Sequence, residues 1–155
     1  MSEPADRPDI ETYDDCVRLV TAFYGRAMTD PFIGFIFVDV AHLDLDEHIP
    51  VIASFWETIL LGAGTYSGGA YAVHAALNRK VTLRTGHFER WLGLWNETVD
   101  ELFAGERAEQ AKTHAQRVAR AFDRRLRGLP PEPLTIEELG ALGTLTVTQH
   151  GTDPA

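Results

Sequence analysis

Apolar residues recur at helical spacing along most of the chain, and this pattern predicts a protein built from helices. The first helix begins after Thr12, which has capping-box spacing with Asp15, and the TDP sequence at residues 29–31 ends it because proline disfavours helix in the preceding residue. The apolar face of this helix comprises Val17, Val20, Phe23, Tyr24 and Ala27. The segment FIGFIF that follows has no partner strand of similar character, so we expect a short helical turn packed into the core.

A second helix is predicted to follow Asp44 or Asp46, either of which can cap it. Pro50 is tolerable there only within the first turn, where its missing N–H needs no partner, and this places His48 at the exposed beginning of the helix. The glycine-rich LGAGTYSGG ends the element with a sharp turn. A short helix over AYAVHAAL and a polar connection, NRKVTLRTG, come next.

Two longer amphipathic helices complete the pattern. The first covers HFERWLGLWNETVDELF and the second covers GERAEQAKTHAQRVARAFDRRLRG, whose arginines at the C-terminal end suit the helix macrodipole. The expected apolar positions of these two helices are Phe88, Trp91, Leu92, Trp95, Val99, Ala108, Ala111, Ala115, Val118, Phe122 and Leu126. We therefore divide the chain into a flexible N-terminal arm at 1–11, a helical domain at 12–128 and a flexible C-terminal tail at 129–155.

Composition narrows the kind of protein. A chain of 155 residues can bury a core of its own, and its single cysteine, Cys16, has no partner for an internal disulfide. The 23 acidic side chains outnumber the 14 basic ones, and the net charge of -9 argues against binding to nucleic acid or to anionic membranes. Neither a signal peptide nor an apolar run of transmembrane length is visible, so we expect a cytoplasmic protein.

Standard catalytic signatures are absent from the sequence. It has no HExxH, no CxxC and no nucleophile elbow, and its glycines follow a helix where a nucleotide fingerprint would follow a strand. The order of FYGRAMTDPFIGFIF, HIPVIASFWETILLGAGTYSGGAYAVH and HFERWLGLWNETVDELFAGERAEQAKTHAQRVAR, however, resembles the group III truncated haemoglobins over roughly residues 12 to 127. The resemblance implies an all-α truncated globin fold, a sandwich of two helices over two that holds haem b.

The resemblance assigns the iron ligand to His74, which follows the glycine turn as the family's proximal histidine does. Neutral imidazole suits this role because one nitrogen binds iron while the other donates to a carbonyl. His87, which opens the next helix, is the competing axial candidate. We prefer His74 and expect His87 to be a capping residue or to lie at the haem edge.

Candidate catalytic residues on the distal side are Tyr24, His48 and Trp91, again by resemblance. The Tyr24 phenol and the Trp91 indole would donate hydrogen bonds to bound dioxygen, and His48 would gate ligand entry. The expected apolar walls of the haem pocket are Phe23, Phe37, Ile52, Phe55, Trp56, Tyr66 and Phe88. The candidate propionate donors at the pocket mouth are Arg79, Lys80, Arg84 and His87.

The implied ligands are diatomic gases (dioxygen, nitric oxide, carbon monoxide) or peroxide. Activity as a haem-dependent nitric-oxide dioxygenase or peroxidase is open, as is the reductase that would recycle the iron. The residues also leave open a second hypothesis, in which the chain is a helical protein-interaction module without a cofactor. Its docking surface for a partner protein would be ARAFDRRLRG and the tail. A third hypothesis is a non-haem metal site built from His42, Asp44 and His48.

Overall fold

The computed structural model describes residues 7–64 and 70–130, and for residues 70–72 it describes only the backbone. All regular elements within these ranges are helical, which confirms the predicted fold class. A turn of π-helix at Ile36–Val40 lies between the first two α-helices. The α-helices are α1 (Tyr13–Ala27), α2 (Leu45–Leu61), α3 (Ala70–Lys80), α4 (Thr85–Leu102) and α5 (Glu106–Leu126).

The four longer helices form two packed pairs. Helix α1 packs on α2 and helix α4 packs on α5, while contacts of α1 with α4 and of α2 with α5 hold the pairs against each other. The shorter α3 contacts α5. This is the two-over-two arrangement that the resemblance implies.

Local capping explains where the helices begin and end. The Thr12 side chain accepts from the Asp15 amide while Asp15 accepts from the Thr12 amide, so the predicted capping box is present. Asp44 caps α2 by accepting from the Asp46 amide at 3.0 Å. Gly62 ends that helix with φ 72°, a left-handed conformation that glycine adopts without steric cost.

The prediction that Pro50 lies in the first turn of α2 is wrong. The helix begins at Leu45, so Pro50 lies inside it, beyond the turn whose amides need no partner. The carbonyl of Pro50 accepts from Ser54 Oγ at 2.8 Å and from the Tyr13 hydroxyl at 3.4 Å. These bonds tie the proline region to its own helix and to the start of α1.

The FIGFIF segment is helical, as predicted, but only part of it is buried. Ile33 and Ile36 enter the core, while Phe32 and Phe35 are exposed at 49% and 41%. Gly34 is required here, because a Cβ at this position would lie 2.7 Å from the carbonyl oxygen of Met28. The segment thus presents two aromatic rings outward.

The connection between α3 and α4 is shorter than the sequence indicated. Residues 78–80, which we predicted to be part of a polar connection, complete α3, and only residues 81–84 link the helices. Asn78 stabilises the link by accepting from the Leu83 amide at 2.8 Å. Burial of Leu83 in the core favours this compact path.

Three tryptophans stack at the centre of the fold. Trp95 lies between the other two, with ring centroids 4.6 Å from Trp56 and 6.1 Å from Trp91. Its indole N–H donates to the Ala111 carbonyl at 3.2 Å, which joins α4 to α5. Trp95 is 1% exposed, in agreement with its predicted place in the ordinary core. The stack connects residues from both layers.

Two residues within the predicted N-terminal arm, Asp9 and Ile10, are packed against the globular body. Ile10 is fully buried, and the Asp9 carboxylate accepts from the amides of Arg107 and Ala108 at 3.0 and 2.9 Å. Asp9 therefore caps α5 from a distant part of the sequence. The chosen boundaries at 11 and 128 stay predictions, and residues 131–155 of the tail lie outside the described part.

An ion pair between the buried carboxylate of Asp30 and the more exposed Arg90 holds the segment after α1 to α4. Both Nε and Nη2 of Arg90 donate to Oδ1 of Asp30, at 2.8 and 2.6 Å. The second carboxylate oxygen of Asp30 accepts from the amides of Phe32 and Ile33. The hydrogen bond from Arg90 lowers the pKa of Asp30, so this buried group stays charged and fully paired.

Candidate functional site

Tyr24 and His48 form the centre of the candidate site. The Tyr24 hydroxyl lies 2.7 Å from Nε2 of His48, which joins α1 to α2. Tyr24 is 6% exposed, and burial raises the pKa of its phenol, so the hydroxyl keeps its proton. The edge of its ring contacts Phe37 at a centroid distance of 5.8 Å.

His48 is more enclosed than the sequence indicated. It lies in the first turn of α2, as expected, but it is half-buried and bonded to Tyr24, whereas we predicted an exposed position. Burial lowers the pKa of His48, and the nearby charge of His74 lowers it further. The neutral imidazole is therefore favoured in the fold.

His74 lies on α3. Its charge lowers the pKa of His48 on α2, so the two imidazoles interact although they come from different helices. His74 is half-buried, and its ring centroid lies 4.9 Å from that of Phe122 on α5. The fold thus brings together the predicted proximal and gating histidines.

Trp91 reaches this region from α4. It is half-buried, its ring is parallel to that of Trp95 within 5°, and its edge contacts Phe23 at 5.8 Å. Phe23 also contacts Tyr24, with ring centroids 5.1 Å apart. The two predicted hydrogen-bond donors, Tyr24 and Trp91, therefore flank a common aromatic neighbour.

The predicted apolar walls fall into two groups. Phe23 and Trp56 are buried among other aromatic rings at 2% and 3% exposure. The remaining described wall residues pack against the core but stay partly exposed, and they are Phe37, Ile52, Phe55 and Phe88. Tyr66 lies outside the described residues. Ligand pockets are lined mainly by apolar side chains, and these four residues are accessible enough to line one.

His87 caps its own helix. Its Nδ1 accepts from the Arg84 amide at 2.9 Å, and burial together with the charge of Arg84 lowers its pKa. Its ring also contacts the outward rings of Phe32 and Phe35, at 5.1 and 6.3 Å. The sequence did not predict these two contacts, because nothing in its spacing relates the two segments.

Of the other candidate propionate donors, Arg84 is bonded to His87 through its backbone amide. Arg79, Lys80 and Arg84 are exposed, the first two at the end of α3 and the third just before α4. The three residues thus lie around the connection between α3 and α4. Their assigned role stays a prediction.

Sequence reasoning missed His114, a buried histidine on α5. It is 8% exposed and lies against Phe55 and Trp56, with ring centroids 6.0 and 5.9 Å away. Burial lowers its pKa to about 4, and the charge of Arg117 contributes. The sequence did contain a signal for its burial. His114 follows Ala111 by three positions, and residues at i and i+3 share a helix face, so His114 lies on the apolar face with Ala111 and Ala115.

The structure rules against the non-haem metal hypothesis. Within the described ranges, no group of three or more His, Cys, Asp or Glu side chains is placed to bind a metal ion. Asp44 instead caps α2, and His48 is bonded to Tyr24.

Cys16 is buried and its pKa is raised by burial to about 11, so its thiol is not a nucleophile at neutral pH.

Comparisons with known proteins agree with this geometry. No family model matches the chain. The group 3 truncated haemoglobin Ctb of Campylobacter jejuni is 28% identical over 116 residues, which cover 73% of this chain and 89% of that protein. The crystal structure of the group III truncated haemoglobin from Campylobacter jejuni superposes with a TM-score of 0.68 at 26% identity, covering 77% of this chain and 94% of that one.

In sequence and in fold the chain is similar to the group III truncated haemoglobins. Its two-over-two fold is the truncated globin fold, as the resemblance in the sequence implied. Each of the described helices is too short or too polar to cross a lipid bilayer. This similarity shows the fold of the chain.

Proposed function

We propose that the chain is a truncated haemoglobin that binds haem b in the region between α2 and α3, with His74 as the protein ligand to iron. The observation that supports this most directly is the Tyr24–His48 bond between α1 and α2, with His48 within range of the charge of His74 on a third helix. Partly exposed aromatic and aliphatic side chains around this region match the apolar faces of a porphyrin. The donor set therefore fits the group.

The choice of His74 over His87 rests on the bonds each ring makes. Nδ1 of His87 accepts from a backbone amide, so that ring already stabilises the start of α4. His74 lies on α3, and its ring packs on Phe122 of α5. This contact would restrict rotation of the imidazole. A ligand whose orientation is fixed by neighbours is the usual arrangement for haem histidines.

Haem bound at this site would supply an iron able to bind diatomic molecules and, when ferric, peroxide. On the distal side Tyr24 has one phenolic proton, which can go either to His48 or to a bound ligand. If Nε2 of His48 carries a proton, His48 donates to the phenol and the Tyr24 hydroxyl is available to the ligand. The pair would then act as a relay whose direction depends on the tautomer of His48.

Strong retention of dioxygen follows from such donors. Hydrogen bonds to a ligand with negative charge are stronger than neutral ones, at about 1.5–3 kcal/mol each. Tight retention suits chemistry on the bound ligand better than delivery of it. We therefore infer a role in nitric-oxide or peroxide chemistry, with a separate reductase restoring the iron.

Titration of the apo-protein with haemin, followed by absorption, tests haem binding. We expect a Soret band that saturates at one haem per chain. A chain that stays colourless, or that binds haemin without a saturating ratio, would contradict the proposal. A colourless chain would support a helical interaction module without a cofactor.

A further inference from the structure

The indole rings of Trp56, Trp95 and Trp91 form a nearly parallel stack that joins α2 to α4. The ring of Trp95 is inclined by 21° to that of Trp56 and by 5° to that of Trp91, at centroid distances of 4.6 and 6.1 Å. These are the separations at which aromatic rings interact through their π systems. An electron removed from one ring would therefore leave a positive charge that its neighbours help to stabilise.

Phe23 connects this stack to the candidate site. Its ring centroid lies 5.8 Å from that of Trp91, 5.4 Å from that of Trp95 and 5.1 Å from that of Tyr24. Trp91 is half-buried, whereas Trp95 and Trp56 are 1% and 3% exposed. The stack thus begins at Trp91, beside the candidate site, and continues into a part of the core that water does not reach.

The polar neighbours of the stack are compatible with a positive charge on an indole. The N–H of Trp95 donates to the Ala111 carbonyl at 3.2 Å, and this oxygen stabilises positive charge on the ring without taking its proton. The ring centroid of His114 lies 5.9 Å from that of Trp56. Because burial lowers the pKa of His114 to about 4, this imidazole adds no positive charge beside the stack at neutral pH.

We propose that the stack of Trp91, Trp95 and Trp56 supplies one of the two electrons that peroxide takes up at the proposed haem site. Reduction of one peroxide molecule breaks its O–O bond and consumes two electrons and two protons, which gives two molecules of water. One electron comes from the iron and the other from the stack, where an indole radical cation remains, and the protons come from solvent. The reductase returns both electrons. The inference rests on the proposed haem binding and peroxide chemistry.

Tyr24 is the competing electron donor in this region, since indole and phenol are the side-chain rings that lose an electron most readily. Oxidation of a phenol releases its proton, whereas Trp95 can keep the proton that it donates to Ala111. Loss of an electron from the stack therefore needs no proton acceptor. The two donors leave radicals on different types of residue, which isotopic labelling of one type distinguishes.

Electron paramagnetic resonance of the haemin-loaded full chain, frozen after mixing with hydrogen peroxide, tests the proposal. Ring-deuterated tryptophan should narrow the organic radical signal, because deuterium couples more weakly to the unpaired electron than hydrogen does. Ring-deuterated tyrosine should leave the width of the signal unchanged. Trp95→Phe removes the middle ring and should lower the tryptophan signal several-fold. Phe103→Leu, a change at another buried ring outside the stack, should leave the signal unchanged.

Three results would overturn the inference while the haem proposal stands, provided that absorption shows one haem per chain in each protein before peroxide is added. They are the absence of an organic radical, a signal that narrows only with labelled tyrosine, and a tryptophan signal that persists undiminished in Trp95→Phe. The last result would assign the radical to a single indole. A chain that binds no haemin would contradict both proposals.

Discussion

The hydroxyl of Tyr24 lies 2.7 Å from Nε2 of His48, although the two residues come from different helices. The phenol is buried and keeps its proton, and the imidazole is held in its neutral form by burial and by the charge of His74. The phenol and the neutral imidazole can each donate or accept a hydrogen bond. The bond between them can therefore reverse its direction without a change of net charge. A ligand that needs a donor can therefore recruit the Tyr24 hydroxyl at low cost.

We predict that Tyr24→Phe and Trp91→Phe each speed dioxygen dissociation from the ferrous haem form. Each change keeps most of the packing volume and removes a donor, and a lost bond of about 1.4 kcal/mol raises the rate about tenfold. Stopped-flow dissociation of carbon monoxide is the control, because this ligand is less polar when bound and should respond less.

The double variant of Tyr24 and Trp91 should show less than the product of the two single effects. Both residues contact Phe23 and would address one bound molecule, so either donor partly replaces the other. If dioxygen and carbon monoxide leave equally faster, the two residues control access to the pocket. Unchanged rates would make them ordinary core aromatics.

His114 should make the protein less stable as pH falls below about 6.5. Burial lowers its pKa to about 4, so between these values the unfolded chain binds a proton that the folded chain does not. The folded state therefore loses stability as pH falls through this window, and a shift of this size corresponds to about 3 kcal/mol. Urea unfolding of the unaltered chain at pH 7 and pH 4.5 measures the loss.

His114→Gln provides the comparison, with His42→Gln as the matched variant of an exposed histidine. The loss of unfolding free energy between the two pH values should be smaller in His114→Gln than in the unaltered chain. It should be unchanged in His42→Gln. An equal loss in all three proteins would mean that the pKa of His114 is not lowered in the fold.

The N-terminal segment should contribute to stability through Asp9. Its carboxylate caps α5 by accepting from two amides, so Asp9→Ala should lower the free energy of unfolding by about 1 kcal/mol, the usual cost of a lost cap. Urea unfolding at neutral pH measures this. Asp14→Ala is a control on an exposed acidic residue and should cost less. Equal values for both variants would contradict the capping role.

Gly105 lies where the Asp9 side chain meets the start of α5. It has φ 139°, and a Cβ there would lie 2.5 Å from Cγ of Asp9. Gly105→Ala should therefore displace Asp9 and lower the unfolding free energy further, since it adds backbone strain to the lost cap. The effect of Asp9→Ala should shrink in the Gly105→Ala background, because the cap is already lost.

The sequence predicted features that depend on near neighbours. The Thr12–Asp15 capping box, the Asp44 cap and the glycine that ends α2 each require only a few consecutive residues, and each is present. The Tyr24–His48 bond and the Asp9 cap join residues far apart in the chain. No spacing rule encodes such pairs, because only the packing of the helices brings them together.

Two further failures have specific physical causes. Proline inside a helix is unfavourable on its own, so local reasoning placed Pro50 in the first turn, whereas tertiary packing sustains a longer helix around it. His114 was overlooked because histidine is usually exposed or functional, while here it fills a space beside Phe55 and Trp56. In both cases the surrounding fold overrides the preference of the residue.

The most direct test of the account is the resonance Raman spectrum of the ferrous haem-loaded protein. We predict an iron–histidine stretching band that is lost in His74→Gly, restored when imidazole is added to that variant, and retained in His87→Ala. The paired variants separate the two axial candidates, since His87 contributes a cap to α4 in the unaltered chain. Retention of the band in His74→Gly, together with its loss in His87→Ala, would contradict the assignment of His74 and with it the proposed haem site.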